Sequence, residues 1–496
     1  MSLKPITVLH VASEVAPFAK SGGLADVAAS LPRAQASYGV RPIVVLPRYR
    51  GIDTRTLARR LQPVDVPLGR RSERVIVHEG TLQGGRVRAL LIDHPWFDRD
   101  GLYGDASGEY KDNGLRFALL ARAALEVSHQ LDVWPDLVHG HDWQAGLLPF
   151  YAGRGVVKDR PVPKSVFTVH NLAFRGLFDK SLVDELGLGW EVFTPDTAEF
   201  YDQLCFLKAG LAYADEITTV SPRYAREIQT PEQGYGLDGF LRARAGKLVG
   251  ILNGIDADEW DPAHDTALPV RYDADDPTGK AACKAALQRE LGLPVRASVP
   301  LVASISRLTD QKGFDLVVQA GEELARSEAQ YVFLGTGDPR YEQALRELAR
   351  RHPMRVAVRI AHDEDTAHRL LAGADIFLMP SRYEPCGLTQ MYAMRYGAVP
   401  IVRATGGLDD TVVDYDVKTR TGSGFKFDEA DAGALGRAVR RATTAYKHKD
   451  AWLELTVSVM RLDFAWARSA RRYVQLYHRL LGIHEGHHLH HHAIAS

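Results

Sequence analysis

"ITVLHVASEVAPFAKSGGLADVAASLPRAQASYG", residues 6–39, passes from one kind of periodicity to another. Its first seven residues are apolar and β-branched, the pattern of a strand buried on both faces of a parallel sheet. From near Leu24 the apolar positions recur at helical spacing. Between the two lies a corner that carries Lys20, Gly22 and Gly23. Two readings of this corner stay open. The glycines can adopt φ > 0 and bring N–H groups to a ligand, while the helix start offers unpaired donors and a positive dipole end to an anion. Equally, an ordinary strand-to-helix turn needs a glycine and happens to carry a lysine. "KSGG" matches neither GxGxxG nor GxxxxGK[ST], so the choice falls to the rest of the chain.

The same strand-then-helix alternation continues through "RPIVVLP", "RVRALLID", "DLVHGHDW", "KSVFTVHN", "EITTVS" and "KLVGILNG". It halts in a polar, Pro- and Asp-rich passage, "DADEWDPAHDTALPVRYDADDP" (256–277), which reads as a linker. It restarts with "VPLVASISRL", "QYVFLGTG", "RVAVRI", "DIFLMPS" and "AVPIVRATGG". Repeated βα units predict an α/β chain of two doubly wound, Rossmann-like domains, 1–253 and 254–463, with a cleft between them. An aromatic-rich helix follows over 464–482. Spacing leaves open whether it stays with the second domain or packs back on the first. The histidine-rich end, 483–496, reads as a disordered tail, native or appended.

A chain of 496 residues is too long for one core, and 45% hydrophobic with 25% charged residues is the composition of globular domains. With 61 basic against 62 acidic residues it offers no general attraction for nucleic acid or an anionic membrane. Cys205, Cys283 and Cys386 are too few and too scattered for a disulfide framework or a metal cluster. The N-terminus runs straight into strand pattern and carries Glu14, which argues against a secretion signal. No apolar stretch is long enough to span a bilayer, so the expected compartment is the cytoplasm.

In doubly wound sheets ligands bind beyond the carboxyl ends of the strands. There the first half places His141 with Asp142 and His170 with Asn171, besides the Lys20 corner. The second half places Arg307 and Lys312 in "SRLTDQKG", Gly335 and Gly337 in "LGTGD", Glu384, Pro385, Cys386 and Gly387 in "RYEPCGLTQ", and Thr405, Gly406 and Gly407 in "RATGG". Each has a plainer reading. Asp142 can simply cap a helix starting at Trp143, the usual task of an aspartate there. His141 and His170 can be satisfied core histidines, Arg307 and Lys312 a solvated basic turn, "TGG" a helix entry, and Glu384 the ion-pair partner of Arg382 or another base. Taken jointly, cations and glycine-rich helix entries in the second half suit a diphosphate, and carboxylates and imidazoles come from the first. Fixed positive charge that neutralises a diphosphate leaving group stabilises the transition state directly.

"KSGGLADV", "HGHDWQAGL", "FTVHNLAF", "FLKAGLAYAD", "VSPRYAREI", "ILNGID", "SRLTDQKG", "GTGDP", "SRYEPCGLTQ" and "RATGGLDDTV" resemble, in that order and from residue 7 to about 480, the bacterial glycogen synthase and plant starch synthase family. The resemblance implies a GT-B architecture, two Rossmann-like domains around a cleft. It also implies retaining transfer of glucose from ADP-glucose to the non-reducing end of an α-1,4-glucan such as glycogen, with no metal or cofactor.

The resemblance further implies roles. Lys20, Gly22 and Gly23 would approach the diphosphate and the acceptor side of the glucose, with Asp26 nearby. Arg307 and Lys312 would hold the diphosphate, helped by backbone donors around Thr405, Gly406 and Gly407. Glu384 would bind the glucosyl hydroxyls and support positive charge, Asp142 would position a sugar, and His170 would lie beside the anomeric centre. Asn253 would contact the sugar, Gly335 and Gly337 would belong to the donor side, and Cys386, Gly387 and Thr389 would shape the Glu384 loop. The family usually has tyrosine where His362 stands, at a position associated with adenine. Rival readings are a sucrose- or trehalose-type transferase using UDP-glucose, and an inactive glucan-binding scaffold, against which the intact Lys20, Arg307, Lys312 and Glu384 argue. A phosphorylase would need a lysine for pyridoxal phosphate, and none is identifiable.

Overall fold

The computed structural model describes residues 5–82 and 84–483. The histidine-rich stretch read as a tail lies outside them from residue 484 on. The chain divides into two compact units. One runs to Val220 and takes in Ala225–Gly254 and the helix Trp466–Leu481; the other holds Ser221–Tyr224 and Ile255–Ala465.

In the first unit the parallel part of the sheet is ordered Leu248–Gly250, Glu216–Thr219, Lys164–Val169, Leu137–His141, Ile6–Val11, Val40–Pro47, Arg88–Asp93. Numbered along the chain this is 7-6-5-4-1-2-3, the doubly wound order in which the chain reverses direction beside its first strand. Strand Ile6–Val11 is buried at every position, as its unbroken apolar run requires. The sequence reading did not include an antiparallel flap beyond Arg88–Asp93, formed by Arg71–Thr81 and Val64–Leu68. Val64–Leu68 alternates buried and exposed residues, the period of a strand with one wet face.

The second unit has a six-stranded sheet, all parallel, ordered Val356–Arg359, Gln330–Leu334, Leu301–Ile305, Ile376–Met379, Val399–Arg403, Phe425–Phe427. Along the chain this is 3-2-1-4-5-6. Its crevice therefore opens between the exits of Leu301–Ile305 and Ile376–Met379, which lead to Arg307 and to Glu384.

The helix Trp466–Leu481 buries Trp466, Ser469, Ala470, Tyr473, Val474 and Tyr477, a stripe at helical spacing. That stripe packs on Ile6, Val8, Leu137 and Val166 of the first unit. Burying side chains of this size contributes about 1.5–3 kcal/mol each. The chain leaves the first unit after Gly254 and re-enters it at Trp466. A Cβ on Gly254 would stand 2.6 Å from the Trp466 Cα, so only glycine lets these two segments approach so closely. Among the described residues no helix is long and apolar enough to cross a membrane.

Candidate active site

The Lys20 corner is held by internal hydrogen bonds. Gly22 is extended, with φ −158°, and Gly23 is not among the positive-φ glycines, so neither uses the left-handed region. Two backbone donors of this corner, Ser21 N and Gly22 N, are engaged within the chain. The buried carboxylate of Glu14 accepts from Ser21 N, from Ser21 Oγ at 2.7 Å and from Gly22 N at 3.2 Å, and the Tyr103 hydroxyl donates to it as well. The Glu14 carboxylate therefore engages the residues just before the helix start. Sequence reasoning used Glu14 only as a charge against a leader peptide, and Tyr103, 89 positions away, gave no signal. Lys20 and Asp26 do meet, at 2.8 Å.

Asp142 is not a helix cap. It stands at φ 57°, ψ −179°, a region that costs an ordinary residue about 1–3 kcal/mol, and its side chain makes no capping bond. Instead its Oδ1 accepts from the backbone N of His170 at 2.7 Å, which ties together the exits of two adjacent strands. Burial pushes the Asp142 carboxyl up to about 7, against the pull of the His170 and Asn171 N–H groups and with a smaller push from Glu14. The folded state thus binds a proton that the unfolded chain releases near pH 4. Stability from the neutral form is full below about pH 4 and is lost as pH rises to about 7, at up to about 1.4 kcal/mol per pH unit. Asp142→Asn, measured by thermal unfolding beside the wild type, should gain relative stability steadily between these limits. A pH-independent difference would show that the carboxyl titrates normally.

His141 is fully buried and His170 half-buried, and the two rings are joined by a 3.0 Å contact from His141 Nδ1 to His170 Nε2. Asn253 is buried, and its Oδ1 has no hydrogen-bond partner among the described residues.

In the second unit the decisive pair is Lys312 and Glu384. Lys312 Nζ donates to Glu384 Oε2 at 2.6 Å, and Ser381 Oγ donates to the same oxygen at 3.0 Å. Both side chains are largely buried, with 16% and 8% exposure. The ion pair open to Glu384 thus forms with a base other than Arg382, which turns to Asp315. Arg307 is exposed and makes no ion pair among the described residues.

The "TGG" corner is a docking surface for the Glu384 loop. A Cβ on Gly406 would lie 1.9 Å from Glu384 O, and one on Gly407 would lie 2.0 Å from Cys386 O. Two of its backbone donors are engaged within the chain. Thr405 N donates to Arg403 O at 2.9 Å, and Gly407 N donates to Glu384 O at 3.1 Å and Pro385 O at 3.2 Å. Gln390 Nε2 braces the same loop through Cys386 O and Gly387 O, and Thr389 opens the helix that carries Gln390. Gly335 and Gly337 flank Thr336, whose carbonyl accepts from Leu308 N at 2.9 Å, so they steady the segment next to Arg307. His362 is exposed, one residue before Asp363, which caps the helix Glu364–Gly373.

The second unit thus gathers a paired lysine and carboxylate and an unpaired arginine at a sheet crevice. The first unit gathers an aspartate, a histidine and an asparagine at strand exits. Comparison with known proteins turns this arrangement into a family. The starch synthase catalytic domain matches residues 7–243, and glycosyl transferases group 1 matches residues 293–454. The glycogen synthase of Anaeromyxobacter sp. (strain Fw109-5) is 54% identical over 95% of this chain and 99% of its own length. The chain belongs to the glycogen and starch synthase family. A second glycogen synthase, from Anaeromyxobacter dehalogenans (strain 2CP-C), is 51% identical over 95% of this chain and 99% of its own. The solved catalytic domain of starch synthase IV from Arabidopsis thaliana, bound to ADP and acarbose, has TM-score 0.89 and 35% identity. That match covers 96% of this chain and 100% of the Arabidopsis chain. This family member is a glycosyltransferase of GT-B fold class, and its activity is glucosyl transfer in glucan synthesis.

Proposed function

We propose that the chain moves glucose from ADP-glucose to the non-reducing end of an α-1,4-glucan such as glycogen, in the cytoplasm and with retention at the anomeric carbon. The observation that carries this reading is the buried Lys312–Glu384 pair at the crevice of the second sheet, to which the strand exit carrying Arg307 also leads. Together they offer two cations for a diphosphate and a carboxylate for a sugar. The ADP held by the Arabidopsis relative supports the choice of nucleotide.

In this reading the bond from the anomeric carbon to the diphosphate oxygen breaks with its electron pair going to ADP. Arg307 and Lys312 neutralise that charge as it develops, the role otherwise filled by a divalent cation. The acceptor 4-hydroxyl attacks from the same face and gives its proton to the departing phosphate oxygen. Glu384 stabilises the positive charge at the sugar and binds its hydroxyls. Asp142, His170 and the unpaired Oδ1 of Asn253 contact sugar. Lys20, oriented by Asp26, contributes charge, while the Ser21 and Gly22 donors stay on Glu14.

The test supplies glycogen with ADP-glucose or UDP-glucose and measures released nucleotide. ADP-glucose should be strongly preferred and EDTA should have no effect. Preference for UDP-glucose would overturn the donor, and loss of activity on chelation would overturn the metal-free scheme. If His362 lies against the adenine, His362→Tyr should tighten ADP about two- to tenfold by calorimetry, since a better aromatic pair gains about 0.5–1.5 kcal/mol. Unchanged affinity would mean that other residues recognise the base.

A further inference from the structure

Behind His170 runs a line of buried polar side chains that the reaction scheme does not use. His170 Nε2 meets His141 Nδ1 at 3.0 Å, His141 Nε2 meets His10 Nδ1 at 3.2 Å, and His10 Nε2 meets Gln35 Oε1 at 2.9 Å. Gln35 Nε2 in turn donates to the Tyr477 hydroxyl at 2.9 Å, and that hydroxyl lies 2.7 Å from His139 Nδ1. His139 Nε2 ends the branch on Thr168 Oγ1 at 2.6 Å. His10, His139, His141, Gln35 and Tyr477 are all fully buried.

Burial holds these rings neutral. It lowers His10 to about 4 and His170 to about 3, and holds His139 and His141 well below the ordinary imidazole value. A neutral imidazole has one N–H and one lone pair, so each ring passes on a direction, like a domino. Three of the histidines, His10, His139 and His141, lie close enough to suggest a metal site. However, His139 and His141 are stacked, with centroids 4.3 Å apart and planes 22° apart, so their in-plane lone pairs run side by side instead of converging. The nitrogens are also committed to Tyr477, Thr168, His10 and His170.

The geometry points to a one-way relay in which Gln35, oriented by Tyr477, sets the position of the proton on His170. The Gln35 amide oxygen can only accept, so His10 Nε2 carries the hydrogen and its Nδ1 is a lone pair. His141 must then donate to it from Nε2, which leaves His141 Nδ1 as an acceptor. His170 donates to that atom from Nε2 and keeps an unprotonated Nδ1. The Tyr477 hydroxyl accepts from the Gln35 amide nitrogen, which leaves the amide oxygen facing His10. Tyr477 belongs to the helix Trp466–Leu481, so the end of the chain determines the tautomer of a residue more than 300 positions earlier. Gln35, His10, His141 and Tyr477 are positioning residues. Their effect on catalysis rests on the reading of His170 given above, but the tautomer itself does not. With Nδ1 free, His170 accepts a hydrogen bond from a sugar hydroxyl and does not donate one.

The test is long-range proton–nitrogen correlation NMR on the full chain labelled with nitrogen-15 in histidine, with the His170 signal assigned by its loss in His170→Asn. The wild type should show His170 protonated on Nε2 alone. Gln35→Met keeps volume and removes both amide groups, and should give a mixture of two His170 tautomers with kcat lowered roughly tenfold and KM unchanged. Tyr477→Phe keeps the ring in the core and should scramble the tautomers in the same way, so the test survives if Gln35→Met fails to fold. His170 protonated on Nδ1 in the wild type, or a single unchanged tautomer in both variants, would overturn the relay. Full activity in His170→Ala would instead remove the catalytic reading and leave the relay standing.

Discussion

Glu384→Ala should lower kcat by about 10²–10³-fold while ADP binds as tightly as before or more tightly. The first effect follows from removing a fixed charge aimed at the developing cation, a loss of the size seen when one preorganised electrostatic contact is deleted. The second follows from the ion pair. Lys312 Nζ sits 2.6 Å from Glu384 Oε2, so diphosphate must share or displace that contact. Without the carboxylate the ammonium is available at once. Initial rates of glucan synthesis and calorimetric titration of ADP check both effects. A folded variant with near-normal turnover would remove Glu384 from the mechanism.

Lys312→Ala should do the reverse to binding and do more harm to the fold. It leaves the Glu384 carboxylate buried with the Ser381 hydroxyl as its remaining charted partner. Breaking a buried pair from one side costs about 3–5 kcal/mol. ADP also loses a charge-assisted contact, about 1.5–3 kcal/mol or about ten- to 150-fold in affinity. The double variant Lys312→Ala/Glu384→Ala separates the two effects. It should regain most of the lost stability, since no unpaired charge stays buried, and should recover only the part of ADP affinity lost to repulsion by Glu384. Equal destabilisation in the single and double variants would show that the pair is not electrostatically coupled in the fold.

These predictions start from residues whose places at strand ends are readable in the chain. Arg307, Lys312 and Glu384 each follow an apolar run whose burial in a parallel sheet is dictated by composition alone. The pairing of Lys312 with Glu384 is not readable that way. Arg382 is the cation near Glu384 in sequence, whereas Lys312 is 72 positions away. The choice depends on Asp315, which captures Arg382, and on Gly406 and Gly407, which admit the Glu384 loop against the neighbouring helix start.

In the first unit the local signal left out a long-range partner. "KSGG" has the composition of an anion site, and the Glu14 carboxylate, which stands before the corner, accepts from Ser21, from Gly22 and from Tyr103 of a distant loop. The antiparallel flap was missed because a strand with one wet face leaves a weaker apolar trace than one buried on both.

By itself the sequence determined the repeated strand–helix alternation, the two doubly wound units and the strand-end positions where the chemistry gathers. These follow from short-range periodicity and from the burial that parallel strands demand. Only the tertiary structure decided which carboxylate meets which cation, where the last helix docks and which way each buried histidine points. Those outcomes depend on partners tens to hundreds of residues apart, and a lone pair or an N–H is assigned only by the atom that faces it.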